Sequence, residues 1–229
     1  MEESKGNLKI HGYESSDGGS YNKILIEGSG NIKGDVECAG LKIYGNGNFR
    51  GNLKTEGDIS VKGHSRIEGN LKAKTVCIEG YTKVGSDIFV DEAAVTGNIQ
   101  VDGDFNAEIF TLNGGFRVGG MLNVDILKMN LEWPCKVHEI GGGEIKIKKS
   151  EKPSFKFKKL ASLFGHSASR EGLVVDTIEG DDIYIENTRA KVVRGNNVEL
   201  GPGCKIELVE YSKNLKKHEK VDVNAIKNI

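Results

Sequence analysis

Apolar residues return along this chain at a fixed interval. Ile26, Ile43, Val61, Ile78, Val95, Leu112 and Met129 stand 17, 18, 17, 17, 17 and 17 residues apart. Two positions beyond the first six of them comes glycine: Gly28, Gly45, Gly63, Gly80, Gly97 and Gly114. Six and ten positions beyond come further apolar residues, from Ile32 and Val36 in the first repeat to Val118 and Leu122 in the sixth. Each repeat also has an apolar residue two positions earlier, such as Ile24, Leu41 and Ile59. Two more pairs at i, i+2 complete it: small-then-large, as in Gly30/Ile32 and Ser65/Ile67, and large-then-small, as in Leu53/Thr55 and Leu71/Ala73. Such a pair marks a short strand with one buried face. Three strands per 17–18 residues, parted by glycine corners, describe one coil of a three-sided parallel β-helix. A helical repeat would need a 3.6-residue period, and the repeats do not have one.

One coil cannot bury its apolar face alone, so the stability comes from stacking. The predicted fold class is therefore all-β, a three-sided parallel solenoid with 17–18-residue coils. Spacing leaves the hand open, and the crossover rule favours right-handed winding. Leu8/Ile10 align with Ile24/Ile26, so residues 1–145 read as about eight coils, fading near Trp133-Pro134-Cys135 and closing at Ile145/Ile147. Residues 146–171 read as a basic linker or amphipathic helix. Eight Lys/Arg face one acid in 146–170, and Phe157, Leu160, Ala161 and Phe164 share one helical face. Strand pairs resume in 172–211, at Ile183/Ile185, Ala190/Val192, Val198/Leu200 and Cys204/Ile206, for about two further coils. Residues 212–229 read as a charged tail, loose or helical.

Composition narrows the chemistry. The chain has 229 residues, with 32 Lys+Arg against 33 Asp+Glu, so its formal net charge is -1. That balance argues against a surface that reads phosphate everywhere, and no nucleic-acid partner is expected. Mean hydropathy is -0.38, and the apolar runs fall far short of the ~20 residues a membrane span needs. The chain has 31 glycines but only 3 prolines, which excludes a Pro/Gly low-complexity chain. Cys38, Cys77, Cys135 and Cys204 have no metal-ligand spacing and read as free thiols in a reducing compartment. His11, His64, His138, His166 and His218 are scattered, and neither GNGNFRGN nor IGGGEIK has the context of a phosphate loop. Glu27, Glu68, Glu79, Asp35, Asp58, Asp102 and Asp104 sit near corners among lysines and arginines, as a solvated mixed-charge surface does. No catalytic residue, cofactor or metal is expected.

The segments GNIKGDVECAG, GNFRGNLKTEGDISVKG and GNIQVDGDF resemble the coils of the bactofilins, polymer-forming cytoskeletal proteins of bacteria. The resemblance covers about residues 6–145, and the return from GDDIYIENTRAKVV to GPGCKIELVEY looks like a longer subfamily of spore-forming Gram-positives. It implies a right-handed β-helix that polymerises end to end into nonpolar filaments without nucleotide. It also implies scaffolding of cell shape, envelope or motility machinery. Many members carry an apolar targeting tail ahead of the coils, for which Met1–Gly6 is too short and polar.

Solenoids that stay monomeric usually cap their ends with polar structure. Leu8 and Ile10 have no such cap before them and are the expected polymer contact at the N-end. Val198, Leu200, Ile206 and Leu208 are the corresponding expectation for the C-end. In the basic stretch, Phe155, Lys156, Phe157, Lys158, Lys159, Leu160 and Phe164 read as a contact for an anionic membrane surface. The partners expected are a second copy, that surface and an unidentified protein cargo, in the cytoplasm or at the inner face of the membrane. The alternative is a β-helical docking module that stops at a dimer, like the C-terminal domain of the Min-system division inhibitor.

Overall fold

The computed structural model describes residues 5–150 and 172–229, and every regular element among them is a β-strand. The strands are β1 (Leu8–Ser16), β2 (Gly19–Ile32), β3 (Val36–Phe49), β4 (Leu53–Thr55), β5 (Asp58–Ile67), β6 (Leu71–Val84), β7 (Ile88–Val101) and β8 (Phe105–Val118). There follow β9 (Met121–Leu131), β10 (Cys135–Lys136), β11 (Glu139–Lys149), β12 (Leu173–Ile185), β13 (Thr188–Leu200), β14 (Lys205–Lys217) and β15 (Asp222–Asn228). All pairs are parallel, and each coil lies on the next in a solenoid of about 12 turns.

Each coil turns three inward-facing pairs toward the axis. In β3 they are Val36/Cys38 on the first side, Leu41/Ile43 on the second and Gly47/Phe49 on the third. Stacking in register makes columns. Ile10, Ile26, Ile43, Val61, Ile78, Val95, Leu112 and Met129 form one that continues through Ile147, Ile185 and Leu200. A small column beside a large one fills the triangle: Gly30, Gly47, Ser65 and Thr82 stand next to Ile32, Phe49, Ile67 and Val84. The Ser65 and Thr82 hydroxyls satisfy each other at 2.8 Å inside it. Higher up, Ile99 and Phe116 take over the small column, and Phe105 stacks on Phe110 with ring centroids 4.4 Å apart.

The corner between the second and third sides is where glycine is needed. Gly28, Gly45, Gly63, Gly80, Gly97 and Gly114 lie at φ between 121° and 145°. They stack so closely that a Cβ on Gly97 would stand 2.1 Å from the Gly80 carbonyl oxygen. The corner between the third and first sides is held differently, by a ladder. Asn52 N–H donates to Asp35 Oδ1 (2.7 Å), Asn70 N–H to Asn52 Oδ1 (2.9 Å) and Asp87 N–H to Asn70 Oδ1 (3.1 Å). Asp104 N–H then donates to Asp87 and Met121 N–H to Asp104, each at 2.8 Å. One side-chain oxygen per coil thus satisfies an amide that the bend leaves without a strand partner.

Above Gly114 the glycine corner ends, because its register partner is Leu131. From there the same corner carries the extra chain: 132–134, 201–204 and 218–221 depart between the second and third sides, and there the coils also break off after Lys149 and resume at Leu173. One open point is decided here and one expectation changes. Residues 172–211 continue the first solenoid, since β12 pairs with both β10 and β11. Residues 212–229 are no loose or helical tail, because they finish β14 and form β15. Lys146–Lys149 belong to β11, so the expected linker loses its first four residues to the solenoid, and 151–171 lie outside the described residues.

Candidate assembly surfaces

At the N-end, β1 pairs with β2 alone, so among the described residues its outer edge has no strand partner. Leu8 is half-buried at this edge, whereas Ile10 is fully covered and finishes a core column from within. Glu14 and Ser16 end the two third-side columns with polar groups. Tyr13 projects from the same strand, 81% exposed.

The C-end lies elsewhere than expected. Val198 and Leu200 are covered by Leu215 and Lys217, and Ile206 and Leu208 by Val223 and Ala225. All four predicted residues are therefore interior, one coil short of the edge. The reason is sequence context: Leu215, Val221/Val223 and Ile226 lie in a stretch crowded with charged residues, so their alternation does not stand out. The edge itself consists of 214–217 and β15, with Leu215, Val221 and Val223 half-buried and Ile226 46% exposed. Ile226 caps the column of Val193 and Val209. Lys217 caps the Ile185–Leu200 column with a charge.

An ion-pair ladder climbs the first side to this edge. Arg194 bridges Glu179 (2.9 Å) and Glu210 (2.8 Å), and Glu210 also meets Lys227 of β15 at 3.3 Å. Arg194 first, then Lys227, holds the Glu210 carboxyl below its ordinary range. The ladder fastens β15 to the coils beneath it.

Other reactive groups are spread out. Burial pushes the Cys135 thiol up to about 12 and Cys204 to about 11, so neither is a ready thiolate, and Cys77 is exposed. His11 pairs with Glu27 at 2.9 Å and His138 with Asp176 at 2.6 Å, on different sides of the solenoid. Among the described residues no group of three His, Cys, Asp or Glu is gathered as metal ligands. A shallow groove of about 590 Å³ on the third side is lined by Asn46, Asn48, Arg50, His64, Arg66 and Tyr81. The predicted membrane contact, Phe155 to Phe164, lies outside the described residues.

The profile of a family described as polymer-forming cytoskeletal, the bactofilins, matches residues 2–80 and 45–123. The chain belongs to the bactofilin family. Two overlapping matches are what a bactofilin of near-identical coils should give. The protein YhbF of Bacillus subtilis, itself uncharacterised, is 45% identical over 230 residues, covering 92% of each chain. A second uncharacterised protein of that organism, YhbE, is 60% identical over 40 residues, 18% of this bactofilin and 17% of its own length. No solved structure matches.

Some assembly features were missed at the sequence level. The acceptors Asp35, Asn52, Asn70, Asp87 and Asp104 each follow the corner residue Gly34, Gly51, Gly69, Ser86 or Gly103. That Gly-Asp/Asn recurrence was a readable signal. The edge residues offered only the 17-residue spacing of Leu215, Val223 and Ile226 from Val198, Ile206 and Val209, and the single pair Val221/Val223.

Proposed function

We propose that this bactofilin is a cytoskeletal scaffold that polymerises through its solenoid ends, without nucleotide, into filaments that support shape, envelope or motility machinery. The observation that carries the reading is the pair of end edges without a strand partner among the described residues, each closing apolar core columns with half-covered side chains: Leu8 below, and Leu215, Val223 and Ile226 above. Such an edge is a template for another strand. A polymer-forming family supports the same reading. Self-association is the partner class, and catalysis plays no part in the proposal.

Negative-stain electron microscopy of the purified protein without nucleotide tests the proposal: constant-width filaments of variable length are expected. Ile226→Arg should shorten or abolish them while leaving the strand signal in circular dichroism intact, and Leu8→Arg should act likewise at the other end. A uniform population of small particles from the unmutated protein would instead favour the dimeric docking module.

A further inference from the structure

Outward residues of the third side form a mostly cationic column. Arg66, Lys83, Gln100 and Arg117 recur at 17-residue steps in register, and Lys136 pairs with Arg117 above them. Arg50 lies one coil below, in the groove beside Arg66. Arg66 and Lys83 share exposed carboxylates, Glu68 at 3.8 Å and Asp102 at 2.9 Å. Arg50, Arg117 and Lys136 have no carboxylate partner among the described residues.

The opposite vertex of the triangular coil, between the first and second sides, has the complementary charge from Asp91 upward, with Lys74 in the coil below. Asp91, Glu108 and Asp125 recur there at the same 17-residue step, with Glu92 beside the first. These four are exposed and have no cationic partner among the described residues. A vertex and the side facing it cannot touch within one molecule. Between two molecules they fit, because both arrays step once per coil at the ~4.8 Å strand spacing, with Gln100 the neutral position in the column.

We infer that the cation column of one copy docks side by side onto the carboxylate vertex of a second copy. The contact uses different surfaces on the two partners, so every molecule keeps a free vertex and a free column, and the association propagates into a flat ribbon. A formal net charge of -1 leaves little overall repulsion to resist it. Exposed ion pairs are individually weak and screened by salt. Strength comes from repetition along stacked coils, which turns each further pair into an intramolecular event. The inference therefore rests on the end-to-end reading for its strength, while its geometry does not.

The test uses the full-length protein and two exposed charge reversals. One variant carries Asp91→Lys, Glu92→Lys and Glu108→Lys; the other carries Arg66→Glu, Arg117→Glu and Lys136→Glu. At about 50 mM salt the unmutated protein should form ribbons several filaments wide, which separate into single filaments at about 0.5 M as the screening length shrinks. Each reversal alone should leave single filaments at both salt levels, and the chain carrying both should regain ribbons. Ribbons from the acid-reversed variant matching those of the unmutated protein would overturn the inference, as would failure of the double reversal to restore them. If the cation-reversed variant alone loses ribbons and the unmutated protein sediments with anionic phosphatidylglycerol vesicles through those residues, the column belongs to a lipid surface and the inference falls. Should no filament of any width form, the end-to-end reading fails by itself. Lateral pairing is then scored on soluble protein by carboxyl–amine cross-linking of Glu108 to Lys136 at low salt, and its absence there overturns the inference.

Discussion

The coils up to Gly114 and those beyond it solve the same corner in opposite ways. Below, one glycine per coil turns between the second and third sides, and the glycines touch, so neither a side chain nor an extra residue fits. Above, Leu131 replaces the glycine, and four excursions leave from that one vertex. Asn187 turns it at φ 49° and Gly203 at φ 80°, without the close stacking of the lower column. Side-chain ladders move as well. The lower coils hold the corner between the third and first sides through Asp35 to Asp104. The upper coils hold the next corner through Asn196 on Asp181 and Asn197 on Asp182, each at 2.7 Å. A solenoid tolerates insertion at a corner that packing has released, and needs hydrogen-bonded stacking at the tight corners that remain.

Substitution at the glycine column should break that contrast most sharply. Gly97→Val meets both the positive φ and the Gly80 carbonyl, and a cost of roughly 3 kcal/mol or more is expected, lowering the thermal midpoint by about 6–12 °C. Gly203→Ala in the upper coils meets its nearest atom at 3.3 Å and should cost only about 1 kcal/mol, read in the same melts. Equal losses at the two sites would mean that crowding is not what separates the halves.

Next in size comes the lower ladder. Asp87→Ala removes the acceptor of the Asp104 amide and should cost about 1 kcal/mol, lowering the midpoint by roughly 2–4 °C. Asn196→Ala breaks only exposed bonds between side chains and should fall within about 0.5 kcal/mol of the unmutated protein.

The folded halves should also differ in acid. Asp35 is held below its ordinary range chiefly by the Asn52 amide, then by the Asn52 side chain. Asp176 is held low chiefly by Lys191. A lowered folded pKa means that each group stabilises the fold above its unfolded pKa, about 3.9, and that this is lost as pH falls through the lower folded value. Acid unfolding followed by tryptophan fluorescence and circular dichroism should be flattened by either Asp→Asn change. High salt should mute the Asp176 effect, which rests on a charge, and spare that of Asp35, which rests on hydrogen bonds to neutral groups. The smallest expected change is Asn187→Gly, within about 0.5 kcal/mol either way, because asparagine already accepts the left-handed region.

The lower coils were legible because their constraints are backbone constraints. A corner that admits only glycine writes the period into the chain at Gly28 through Gly114, and the inward pairs follow from it. Once the corner opens at Leu131, coil length varies: Val193 follows Ile178 by 15 residues, while Ile226 follows Val209 by 17. Periodicity then stops carrying the fold, which is why β15 was missed and the C-end was placed a coil too early. The contact surfaces were harder still, because an edge residue such as Ile226 differs from its interior counterpart Val209 only in what lies above it. The charged arrays gave no signal along the chain, since cations and acids alternate there and separate only when wound into a triangle.

Because the chain leaves the coils after Lys149 and returns at Leu173 at the vertex that also carries the short excursions, a filament of these subunits would work as a ruler. About 12 rungs at ~4.8 Å set a subunit length of roughly 58 Å. A filament of such subunits would present its insertions at intervals fixed by a coil count. Adding or deleting a whole coil would then reset the distance between attachment points without altering any contact that makes the filament.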